Sequence, residues 1–139
     1  MTDSPNVELA RRAAEAANRR PKPDFDVVNA LYDPNHVLVA QLSRVEGEAF
    51  HGARGFREWL TNMSQAWESW ESQVRQVTEI DNDRVLVVLK LSLRSRQGGV
   101  PIEQEPATIV TVRDGKIVRS ETYPSVGQAL QAAGLPEQP

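Results

Sequence analysis

The residues best suited to chemistry lie in the run Lys116–Tyr123, KIVRSETY. Glu121 stands there with Arg119 and Tyr123 two positions to either side. Period-2 alternation puts the three on one face of a strand. The turn signal Asp114-Gly115 favours a two-residue hairpin, pairing Arg113 with Lys116, Val112 with Ile117, Val110 with Arg119 and Thr108 with Glu121. That register places Arg119, Glu121 and Tyr123 beside Val85, Val87, Leu89, Leu91, Leu93, Val110 and Val112, and Ser120 and Thr122 on the opposite, polar face. A carboxylate on the apolar face loses hydration, which suits general acid/base work. The same placement also reads as a Glu–Arg or Glu–Tyr pair that only braces the sheet. Tyr32, Trp59, Met63 and Trp67, with Leu89, Thr108 and Val110 on the sheet, could line a pocket for a flat or aliphatic ligand. Plain core packing explains their spacing equally well.

Other chemistry finds less support. His36 begins a strand and His51 precedes a helix, so both read as structural or exposed. Two separated His and no Cys give no zinc site of the usual kind. No Gly-rich loop opens a helix as phosphate cradles require. The expectation is no metal and no cofactor.

These residues need elements to hold them. Ser4-Pro5 starts a helix over Val7–Asn18, with Ala10, Ala13, Ala14 and Ala17 as a small-residue stripe. Asp24 caps a second helix reaching Tyr32. Asp33-Pro34-Asn35 reads as a turn and His36–Leu42 as a strand. Ser43–His51, with Arg44, Glu46 and Glu48, reads as an exposed connection. A third helix covers Ala53–Trp67, and Trp70–Ile80 is a strand ending at Asp81-Asn82-Asp83. Three strands follow between Arg84 and Tyr123, joined at Gly98-Gly99 and Asp114-Gly115. The Gly98-Gly99 turn pairs Arg94 with Glu103 as an outer-face ion pair and Leu89 with Thr108. Pro106 sits inside the middle strand, where a bulge or bend is expected. Ser125 and Gln128 form a capping box for a last helix ending at Gly134. Helices gathered before an antiparallel sheet indicate an α+β fold.

The chain has 139 residues, 40% of them hydrophobic and 25% charged, with a net charge of −3. This suits one domain over residues 4–135 with loose ends at 1–3 and 136–139. Mild acidity without a basic stripe argues against a nucleic-acid partner. No apolar run is long enough to span a membrane, and MTDSPNVELARR lacks a signal-peptide core. With the absence of Cys, these features suggest the cytoplasm.

Four stretches carry a resemblance: DFDVVNALYDPNHVLV, HGARGFREWL, TVRDGKIVRSETY and ALQAAGL. Over Val7–Leu135 the chain resembles the nuclear-transport-factor-2-like superfamily. That group includes ketosteroid isomerases, SnoaL-like polyketide cyclases and limonene-epoxide hydrolases. The resemblance implies a curved, mostly antiparallel sheet wrapped by three helices into a cone, a cystatin-like architecture. It also implies a deep apolar pocket and a homodimer through the outer sheet face. Catalytic residues do not carry over. The isomerases' helix-1 tyrosine falls near Ala13 and their basic aspartate near Ala40. Thr108 follows Pro106-Ala107 where they place a protonated aspartate. The epoxide hydrolases need strand-borne Asp-Arg-Asp, whereas Asp3, Asp24, Asp26, Asp33, Asp81, Asp83 and Asp114 fall in terminus, turn or helix readings. Two functions follow. One is a pocket protein for a small apolar molecule, as an acid/base isomerase, cyclase or hydrolase using Glu121 with Tyr123 or Arg119. The other is a non-catalytic ligand-binding or dimerisation module with a filled core.

Overall fold

A computed structural model describes residues 4–19, 22–40, 49–96 and 100–135. The expected loose ends at 1–3 and 136–139, the Gly98-Gly99 turn, and Arg44, Glu46 and Glu48 lie outside the described residues.

Local signals start each helix where the sequence places them. Ser4 accepts the Val7 N–H and Pro5 opens α1 (Pro5–Ala17). Asp24 accepts the Val27 N–H at the head of α2 (Phe25–Leu31). Gly52 opens α3 (Gly52–Ala66) at φ +65. Ser125 accepts the Gln128 N–H before α4 (Val126–Ala132), and Gly134 at φ +80 lies just past its end. Positive φ is cheap only for Gly or a short polar residue. Asp114 and Gly115 meet that need at φ 53 and 74 in the tight hairpin.

The strands are β1 (Tyr32–Ala40), β2 (Ala49–His51), β3 (Ser69–Glu79), β4 (Arg84–Arg94), β5 (Ile102–Gln104), β6 (Ala107–Arg113) and β7 (Lys116–Tyr123). Among the described residues they form one sheet in the order β2-β1-β7-β6-β4-β3, with β5 also on β4. Among the described residues only the β1–β7 pairing is parallel. The fold is α+β, with α1, α2 and α3 wrapping one face of the curved open sheet into the cone. α1 lies on β3 and β4, α3 on β1 and β2, and α2 between α1 and β1. One core joins Val7, Ala10, Ala13 and Ala14 to Val85, Val87, Val110, Val112 and Ile117. The alanine stripe lets α1 approach the sheet closely. A second core on the far face packs Ala129 and Leu130 of α4 against Leu86, Val88, Ala107 and Ile109.

Three departures from the sequence reading matter. Asp33-Pro34-Asn35 lies within β1 instead of turning the chain, and the register shifts between Tyr32 and Val37. β4 pairs with β6 as Val87–Thr108 and Val85–Val110, two residues from the expected register. Ser92 faces Glu103 by the same displacement, so Glu103 lies 4.0 Å from Lys90 rather than pairing with Arg94. β4 ends at Arg94 and β5 begins at Ile102. A slip of two preserves faces.

The third departure is odd-numbered. Arg113–Lys116 and Val112–Ile117 pair as expected, but then Thr111 meets Arg119, Val110 meets Ser120, Ile109 meets Glu121 and Thr108 meets Thr122. Val118 is one extra residue in β7. A bulge of one exchanges the faces of every residue beyond it.

α3 is fixed at both ends. A Cβ on Gly52 would lie 2.8 Å from the Pro34 carbonyl oxygen, and one on Gly55 2.6 Å from the Phe50 backbone. The far end meets Arg96, whose Nε donates to the Gln65 carbonyl at 3.1 Å and whose Nη2 donates to that of Ser64.

Candidate functional site

Between α1, α2, α3 and the sheet lies a cavity of about 400 Å³. Its origin is a mismatch of side-chain sizes. α1 brings Ala10, Ala14 and Ala17 to it, while α3 lays Phe56, Trp59 and Met63 across the other side. Phe56 stacks on Trp59 with centroids 6.2 Å apart, and Phe25 of α2 meets Phe56 edge-on at 6.2 Å. The sheet supplies Val87, Leu89, Leu91, Thr108, Val110, Ser120 and Thr122, and β3 adds Trp70 and Ser72. Most of this wall is apolar.

Its polar groups include the Asp33 carboxylate, Asn18 and Asn29 beside the neutral groups of the sheet. His36 and Ser120 are both buried, and His36 Nε2 lies 3.0 Å from Ser120 Oγ. The parallel β1–β7 pairing brings them together across 84 positions of sequence. The Tyr32 ring meets the imidazole edge-on, centroids 4.7 Å apart. Thr108 Oγ1 and Thr122 Oγ1 lie 2.9 Å apart. Burial pushes the His36 imidazole down to about 4, while the Asp33 carboxylate pulls it the other way. It is therefore neutral at neutral pH, with one ring nitrogen a donor and the other an acceptor. Burial also pushes the Tyr32 phenol up, keeping it protonated. A neutral imidazole bonded to a hydroxyl in an apolar cavity can take or give a proton at a ligand atom.

Of the residues proposed from sequence, Tyr32, Trp59, Met63, Leu89, Thr108 and Val110 line this cavity. Trp67 does not. α3 ends at Ala66, so Trp67 is extended at φ −127, ψ 142 and leaves the helical stripe; Trp70 lines the cavity instead. Arg119, Glu121 and Tyr123 do not line it either, because the Val118 bulge turns them to the outer face. There Arg119 Nε lies 3.1 Å from Glu121 Oε1, and the Tyr123 hydroxyl donates to Glu121 Oε2 at 3.0 Å. Burial and Glu121 push the Tyr123 phenol up, with Arg119 opposing. Glu121 thus contacts Arg119 and Tyr123 and is not among the residues that line the cavity. His36, Ser120 and Thr122 are what the sequence reading missed. The Ser-x-Thr alternation at 120–122 was the available signal. Among the described residues, no group of three His, Cys, Asp or Glu is placed to hold a metal ion, and no helix is long and apolar enough to cross a membrane.

The family profile described as the SnoaL-like domain matches residues 10–120, and the chain belongs to that family. No curated protein matches it in sequence. Several solved structures are similar. TerC, co-crystallised with polyporic acid, is 21% identical with a TM-score of 0.73, over 92% of this chain and 97% of that one. A ketosteroid-isomerase-like-fold protein from Catenulispora acidiphila, in complex with trimethylamine, is 17% identical with a TM-score of 0.67, over 95% and 98%. A cystatin-fold protein from Novosphingobium aromaticivorans is 17% identical with a TM-score of 0.64, over 87% and 99%. At these identities the likeness establishes the shared fold.

Proposed function

We propose that this SnoaL-like protein binds a small, largely apolar molecule in the cavity and moves a proton on it through His36, in an isomerase- or cyclase-type reaction. One observation carries the reading: the His36 imidazole, hydrogen-bonded to Ser120, is set in the wall of a mostly apolar cavity. Its volume of about 400 Å³ falls in the range of small-molecule sites. Trp59, Phe56 and Trp70 offer flat surfaces to a ring. Tyr32 and the Thr108–Thr122 pair offer neutral hydrogen bonds to its oxygens. The polyporic acid co-crystallised with TerC adds support for a small organic ligand in a similar fold.

A panel of cyclic ketones and enols, screened by melting temperature and then by deuterium uptake at the acidic C–H, tests this. Ligand near 100 times its Kd stabilises by about 2.7 kcal/mol, which raises the melting temperature by roughly 5 °C or more at this chain length. Exchange should slow about 10²–10⁴-fold in His36→Gln. No stabilisation of the parent by any member removes the pocket reading. Binding with exchange indifferent to His36 leaves a binding protein without proton transfer.

A further inference from the structure

Ser120 is bonded unlike the two threonine hydroxyls of the cavity wall. Thr108 and Thr122 are joined to each other at 2.9 Å, a bond that needs nothing further. Ser120 Oγ is joined at 3.0 Å to an imidazole nitrogen. A hydroxyl beside a neutral imidazole is the arrangement that turns serine into a nucleophile, because the ring removes the proton as the oxygen attacks. Both members of the pair wall the cavity, so a seated molecule can reach the bond. The tautomer required carries its proton on Nδ1, with Ser120 donating to Nε2.

A donor for developing negative charge lies nearby. Ser120 and Thr122 face the same side of β7, and alternate residues of a strand are about 6.7 Å apart. In the Thr108–Thr122 bond one hydroxyl donates to the other. The accepting hydroxyl keeps its own hydrogen for a carbonyl oxygen polarised on Ser120.

We propose that Ser120 is a nucleophile, activated by His36, that takes an acyl group from an apolar ester seated in the cavity. This rests on the reading that the cavity admits apolar molecules and is independent of proton transfer at carbon. Ser120 Oγ forms a bond to the ester carbonyl carbon, and its proton passes to His36 Nε2. The bond from that carbon to the alkoxy oxygen breaks, and the alcohol leaves with the proton from Nε2. Water then attacks the acyl carbon and gives a proton to His36. The acid departs and Ser120 Oγ regains the proton. Water is the one co-reactant.

The test uses p-nitrophenyl butyrate and diisopropyl fluorophosphate as probes. The purified protein is followed by nitrophenol release, intact mass and peptide mapping. The expected result is one adduct, mapped to Ser120, absent in Ser120→Ala and formed about 10²-fold or more slowly in His36→Gln. A cavity ligand found in the melting screen should protect the parent from labelling. An adduct on any other residue, or an unlabelled parent, overturns the proposal. The site in the parent decides the matter even if a variant fails to fold. An unlabelled parent that apolar ligands still stabilise fails the nucleophile alone; a parent that no ligand stabilises fails the pocket reading.

Discussion

The two sides of β7 separate charged groups from hydroxyls. Outward, Arg119, Glu121 and Tyr123 satisfy one another in a chain of contacts at 3.1 and 3.0 Å. Inward, Ser120 and Thr122 present hydroxyls to a mostly apolar space, bonded to His36 and Thr108. Charge sits where water and a counter-charge meet it; Glu121 is 25% exposed and Arg119 46%. An ionised group on the inner side of β7 would be costly without such partners. That side offers a ligand hydrogen bonds, while the Asp33 carboxylate of β1 also lines the cavity.

Val110→Asp, at a position buried among Val85, Val87 and Val112, should break this separation most severely. It puts a carboxylate on the inner side at a cost of about 4 kcal/mol or more, a large part of a domain's stability. A fall in the urea midpoint of that size is expected; an unchanged midpoint would mean the inner side tolerates charge. Acid comes next. The folded-state value of His36 near 4 lies below its unfolded value, so the unfolded chain binds more protons between about pH 6.5 and 4. Stability therefore falls as pH drops through that window, by about 3 kcal/mol when complete. The difference between parent and His36→Gln, taken from urea midpoints at pH 7 and pH 4, should show it. Equal pH slopes for the two proteins would contradict a buried neutral imidazole. The smallest effect belongs to Glu121→Gln on the outer side. Partly exposed ion pairs contribute under about 1 kcal/mol, and ligand-induced melting shifts should match the parent. A lost ligand response in this variant would return Glu121 to the site.

Much of the scaffold is legible in the sequence because its signals are local. Ser4, Asp24 and Ser125 cap helices through bonds three residues away. Asp114-Gly115 fixes its turn by backbone conformation alone. The faces of β4 and β6 are legible despite an incorrect register, because the error was even. The face of β7 was lost because nothing near Val118 marks a bulge: no Gly, no Pro, only another β-branched residue. From sequence His36 reads as structural or exposed, because its meaning depends on Ser120, 84 positions away across a parallel pairing. No hairpin rule reaches that pairing. Trp67 and Trp70 differ by three positions and only the end of α3 separates their surroundings.

The clamps on α3 bear on the entropy of recognition. The helix that roofs the cavity is held by backbone approach at Gly52 and Gly55 and by Arg96 at its last carbonyls. A roof so held has little conformational freedom left to surrender when a molecule enters. The ordering cost of association then falls chiefly on the guest, and rigid ring compounds gain the most. Calorimetry should find the heat-capacity change of apolar burial without the larger one of a folding segment.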